Sequence, residues 1–149
     1  MAVSVKGDFG RLEDLLDSFG KLASPEMRAA LIQDLAEEAL QVIQQEFDTG
    51  RDPYGKSWPE PKRDTKTSRN RHAGLPMIRT GRLMTGWSYR PSADGFALEN
   101  EAPYSTFLQD GTSKMEARKM VPDGDDLPPL WRLRFEKAVE KKLFEFAFR

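Results

Sequence analysis

The sequence predicts an α+β domain with N-terminal helices, a long loop, a small antiparallel β-sheet and a C-terminal helix. Three observations lead there. A capped apolar stripe at helical spacing runs from Ser24 to Phe47, and a second begins near Pro128. Between them, two short alternating segments flank an Asp-Gly turn signal. Helices grouped on either side of paired strands give an α+β layout. The 149 residues suit one domain spanning 1–149.

The first helical pattern, "DFGRLEDLLDSFGKL", places Leu12, Leu15, Leu16 and Phe19 on one side. Asp8 is a candidate N-cap, and Gly20 is expected to end the helix. In the second helix Ser24 caps, Pro25 takes the first position and Glu26 meets the positive end of the dipole. Met27, Leu31, Leu35, Val42, Ile43 and Phe47 form its stripe, widened by Ile32, Ala36 and Leu40, so more than one packing partner is expected. The helix should end between Phe47 and Gly50.

Residues 48–80 hold no sustained period and form a long connection. Its start, "FDTGRDPYGKSWPEPK", concentrates aromatic, Pro and Gly residues. In "DPYGKSW", residues 52–55 read as a tight turn, with Pro53 presetting φ and Gly55 tolerating positive φ. The turn brings Trp58 back over the stripe end at Phe47, as a clasp. Residues 59–74 contain six basic groups counting His72, two acids, and nothing apolar larger than alanine or proline. Such a segment cannot offset its ordering entropy, so it is expected to be mobile in the free chain.

Alternation around Leu83 to Tyr89 and Phe96 to Leu98 predicts a hairpin turning at Asp94-Gly95, with Leu83 inward and Arg82 outward. "PYSTFLQDGT" is a single helical turn or strand ended by Gly111, and residues 113–127 form a further loop. The last helix starts near Pro128, with Asp126 as candidate N-cap. Its apolar face is Leu130, Trp131, Leu133, Phe135, Val139, Leu143 and Phe146.

The composition excludes several functions. There is no cysteine, which removes disulfides, thiolate metal sites and cysteine nucleophiles. His72 is the single histidine and sits among solvated basic residues, where nothing orients it for proton transfer. "DGDD" at 123–126 lacks calcium-loop spacing and reads as a turn and helix cap. No catalytic, cofactor or metal residue is therefore expected. No apolar run approaches the ~20 residues of a membrane helix. The start of the chain lacks a secretory pattern. A soluble protein made in the cytoplasm is expected.

Charge is segregated. Residues 1–47 carry net −5, residues 48–82 carry +5 and residues 83–149 carry −1. Opposite local signs favour head-to-tail contact between copies. The alternative is a nucleic-acid-binding accessory protein using the basic strip with Tyr54 and Trp58. A pI of 5.9 disfavours DNA contact relative to a protein partner.

The order of Phe47, "DPYGKSW" (52–58), Thr65–Lys66, "LPMIRTGRLMTGW" (75–87), "APYSTFLQDGT" (102–112) and "ARKMVP" (117–122) resembles the phage virion-morphogenesis family. These are tail-completion proteins of Mu-like and other long-tailed phages. The resemblance spans most of residues 25–149. Ser105, Lys119–Met120 and the Pro128–Pro129 helix entry depart from the family's usual residues. It implies a non-enzymatic structural protein of the virion neck or tail end, assembled in the host cytoplasm and acting as a ring of copies. Its neighbours would be tail-terminator, tail-tube or head-connector proteins. The implied clasp is Phe47, Pro53, Gly55, Trp58, Gly81, Leu83, Tyr104 and Gly111. The implied contact residues are Lys62, Arg63, Lys66, Arg79 and Arg82, whose guanidinium and ammonium groups suit a neighbour's carboxylates.

Overall fold

The computed structural model describes residues 2–3, 14, 15, 17, 19, 20, 23–59, 77, 81–123 and 127–148. In chain order these form β1 (Ala2–Val3), helical residues within 14–20, α1 (Pro25–Thr49), α2 (Arg82–Thr85), β2 (Trp87–Pro91), β3 (Phe96–Asn100), α3 (Ser105–Asp110) and α4 (Pro129–Ala147). The protein is α+β. Its sheet is antiparallel in the order β1-β3-β2, with Tyr89 opposite Leu98 and Val3 opposite Leu98 on the other side. The third strand, β1, was not anticipated from sequence because two residues carry no readable period.

α1 starts where capping chemistry dictates. Ser24 Oγ accepts the Met27 N–H at 3.3 Å, and the Ser24 N–H reaches Met27 Sδ at 3.5 Å. It ends at Gly50 in the left-handed conformation, whose N–H returns to the Glu46 carbonyl. The wide stripe does meet several partners: α4, β2, β3 and α2 all pack on α1. Leu31, Leu35, Val42, Ile43 and Phe47 are buried in that core with Leu98, Trp131, Phe135 and Val139.

α4 lies antiparallel to α1. Lys142 Nζ meets Asp34 at 2.7 Å near one end, and Arg134 Nε meets Glu38 at 2.7 Å and Gln41 through its Nη2 at 2.8 Å. At the other end the Trp131 indole N–H donates to Glu46 Oε1 at 2.9 Å, with both side chains buried. Phe19 packs edge-on to Phe146 at 6.2 Å, which brings the helical residues before α1 onto the far end of α4.

Gly20 is helical and Ala23 is not. Three expectations are corrected. Leu83 is buried as expected, but on the helical turn α2 rather than on the hairpin. Asn100 Nδ2 donates to the Leu83 carbonyl at 2.8 Å and ties this turn to β3. The hairpin turns where expected, through residues 92–95, closed by the Ser92 N–H to the Gly95 carbonyl at 2.7 Å without a positive φ at Gly95. Leu133 is exposed, since the apolar face of α4 is narrower than the sequence suggested. The N-cap position of α4 is Pro128, and Asp126 lies outside the described residues together with Asp8.

Burial raises the Glu46 carboxyl from 4.5 to about 9, opposed by the Trp131 hydrogen bond and assisted by the charge of Asp52. Glu46 is therefore protonated at neutral pH. The folded chain holds this proton more tightly than the unfolded chain, so the stabilisation is complete below pH 4.5 and lost as pH rises towards 9. Denaturant unfolding across that window should show stability falling by up to about 1.4 kcal/mol per pH unit from this group. Glu46→Gln keeps an acceptor for Trp131 and should flatten the dependence. An unchanged slope in the variant would place the titration elsewhere.

Candidate functional site

The segment after α1 forms a small closed unit. Asp52 organises it: its Oδ1 accepts the N–H groups of Tyr54 at 2.9 Å and Lys56 at 2.8 Å. The Asp52 carbonyl accepts the Gly55 N–H at 3.0 Å, and Arg51 pairs with Ser57 across the turn. Pro53 is buried and Gly55 sits at φ 86°. The Trp58 N–H then reaches the Gly50 carbonyl at 3.0 Å. Trp58 is thereby returned to the end of α1, where its ring meets Phe47 edge-on at 5.1 Å and is 3% exposed.

This turn is fastened to a second irregular segment some sixty residues on in sequence. The Trp58 indole N–H donates to the Lys119 carbonyl at 2.8 Å, and Arg118 Nε donates to the Pro59 carbonyl at 3.2 Å. The Tyr54 hydroxyl donates to the Asp123 carbonyl and accepts the Asp123 N–H at 3.1 Å. Lys119 Nζ lies 2.9 Å from Asp123 and 5.7 Å from the centre of the Tyr54 ring. Partial burial raises the Tyr54 hydroxyl. Burial pulls the Asp123 carboxyl upward, but hydrogen bonds from Lys119 and Tyr54 outweigh it and hold the carboxyl below its usual value. Bonding to Asp123 raises Lys119.

Gln109, buried on α3, supplies the partners that residues 120 and 121 find in no strand. Its Oε1 accepts the N–H groups of Met120 at 2.8 Å and Val121 at 3.2 Å, and its Nε2 donates to the Val121 carbonyl at 2.9 Å. Met120 and Val121 are consequently fully buried without regular structure. Gly111 ends α3 at φ 74°, and a Cβ there would stand 2.8 Å from the Ala117 backbone N, so both conformation and space require glycine. In the sequence Gln109 stood out only as part of the "APYSTFLQDGT" stretch that carries the resemblance, and nothing there pointed to its hydrogen bonds with residues 120 and 121.

The expected clasp residues divide. Phe47, Pro53, Gly55, Trp58 and Gly111 belong to the joined unit just described. Gly81, at φ 81°, precedes α2, and Leu83 lies in the core below it. Tyr104 is 40% exposed and clasps nothing, because it stands at the solvent-facing start of α3. Of the expected contact residues, Arg82 is exposed on α2, while Lys62, Arg63, Lys66 and Arg79 lie outside the described residues, as do His72 and all of the expected mobile segment 59–74 except Pro59. Among the described residues, no group of three or more His, Asp or Glu side chains converges on a point, and no helix is long and apolar enough to cross a membrane. Comparison of the chain with protein-family models, characterised proteins and solved structures finds no match in any of the three.

Trp58→Ala removes a buried indole and its hydrogen bond, and should destabilise the fold by about 3–5 kcal/mol. Trp58→Phe keeps the ring contact with Phe47 and should lose only about 1 kcal/mol for the bond to Lys119. Equal melting temperatures for the parent and the alanine variant would show that Trp58 does not hold the two segments together.

Proposed function

We propose that this chain is a non-enzymatic structural protein of a long-tailed phage virion, completing the tail or joining it to the head at the neck as a ring of copies. The observation that carries the reading is the joining of "DPYGKSW" to "ARKMVP". These two segments, which carry much of the resemblance to the virion-morphogenesis family, are tied through Trp58, Tyr54, Arg118 and Lys119. Motifs shared only by chance have no reason to meet. The unit offers hydrogen-bonded, irregular backbone on a helical base, which suits a contact surface. The Lys/Arg-rich segment that follows it would meet carboxylates of an adjoining copy or of a terminator, tube or connector protein.

Replacing Lys62, Arg63 and Lys66 with neutral polar residues should alter stability by less than about 0.5 kcal/mol, because a segment this rich in charge and without large apolar residues contributes little to a core. In particles assembled with that variant, electron microscopy should show heads and tails accumulating unjoined. Normal yields of joined particles would remove these residues from the contact. Detection of the parent chain anywhere but the neck or tail end of purified virions would overturn the reading itself. Tight DNA binding that weakens steeply with salt would instead favour the accessory nucleic-acid role.

A further inference from the structure

α4 buries one side and leaves the other exposed. Trp131, Phe135, Ala138 and Val139 are buried on the inner side. On the opposite side Leu133, Lys137, Glu140 and Phe144 are exposed, at alternating steps of four and three residues. That is the spacing of a seam between two packed helices. Leu133 is 47% and Phe144 64% exposed. Phe148, at the C-cap position, is 75% exposed, and its ring centre lies 4.5 Å from that of Phe144.

The seam is its own complement when read backwards. About the midpoint between Ala138 and Val139, Lys137 mirrors Glu140 and Leu133 mirrors Phe144. Beside them Glu136 mirrors Lys141, and Pro129 mirrors Phe148. Every mirrored pair joins opposite charges or two apolar groups. A second α4 laid antiparallel on the first therefore meets it with opposed charges in the middle and apolar contact at both ends. Laid parallel, it would set Lys137 against Lys137 and Glu140 against Glu140, which is repulsive.

We propose that two copies pair through the outer face of α4, antiparallel and two-fold symmetric. Leu133 of each copy packs on Phe144 of the other, and Lys137 of each faces Glu140 of the other. The apolar ends supply most of the attraction. Ion pairs at such an exposed seam add little energy but fix direction and register. The contact is isologous, so it closes at two copies. It stands apart from the ring reading, since a ring is built by heterologous contacts between other surfaces.

The test uses purified chain, so its outcome does not depend on where the chain sits in a virion. Sedimentation should show monomers converting to dimers as concentration rises. Lys137→Glu alone and Glu140→Lys alone should each weaken the dimer about tenfold or more, because like charges then face each other. An equimolar mixture of these two variants, or both substitutions in one chain, should restore it. The chain has no cysteine, so an introduced thiol reports a single position. Leu133→Cys and Phe144→Cys are made as separate variants at these exposed sites, with circular dichroism to check folding. Under oxidised glutathione, their mixture should form the 133–144 disulfide about tenfold or more faster than either variant links to itself, since the paired positions are held together. A parent that stays monomeric at every concentration overturns the proposal. So do charge variants that associate like the parent, or same-position disulfides that form as fast as the mixed one.

Discussion

The last full turn of α1 has to bury a carboxyl group, and the surrounding packing is arranged to make that tolerable. Glu46 is 3% exposed, with one oxygen taking the Trp131 indole N–H. Its backbone carbonyl takes the N–H groups of Gly50 and Arg51 as the helix closes. An ionised carboxylate there would cost several kcal/mol in lost hydration, so the group stays neutral, with Oε1 bonded to Trp131 and Oε2 buried without a hydrogen-bond partner. Apolar contact between α1 and α4 is non-directional and would allow them to slide. The Glu46–Trp131 bond sets their register at one end, and the Asp34–Lys142 and Glu38–Arg134 pairs keep it along the rest. The next residue, Phe47, points to the other side and receives Trp58. One helical turn therefore positions both α4 and the turn that follows α1.

From this joint the molecule covers part of its core with backbone that belongs to no helix or sheet. Buried N–H and C=O groups need partners wherever they are. Residues 118–121 find theirs one at a time: Arg118 donates to the Leu108 carbonyl, Lys119 accepts from Trp58, and Met120 and Val121 share the Gln109 amide. A primary amide suits the last role because it both donates and accepts, whereas a carboxylate only accepts and an ammonium group only donates. The layer is thus as well satisfied as a strand while following a path that no strand could take.

Local chemistry made much of this readable. Ser24-Pro25 announced the start of α1 and Gly50 its end, and the Pro53 and Gly55 turn implied that Trp58 comes back to Phe47. What escaped was whatever depended on distant partners. Nothing near Gln109 marks it as the support of residues 120–121. Glu46 looks like any solvated acid on a helix until Trp131, eighty-five positions later, closes over it. Leu133 was assigned to the apolar face by periodicity, and Tyr104 to the clasp by the resemblance. Both face water, because the adjoining layers are too small to cover every apolar residue the pattern offers. Leu83 was read into a strand when α2, fixed by Asn100, holds it in a helical turn.

The segment between Gly111 and Arg118 illustrates how anchoring and variation can be kept apart. Its tip is a two-residue reversal in which Thr112 and Met115 exchange backbone hydrogen bonds, and residues 112–114 and 116 are exposed. Upstream, Gly111 is fixed by close approach to Ala117, and downstream Lys119, Met120 and Val121 are tied to buried Trp58 and Gln109. Inserted residues at such a tip cost only a slowly growing closure entropy and disturb no bond below it. The reversal between 112 and 116 can therefore be lengthened or recoded while the anchored stretch keeps its bonds.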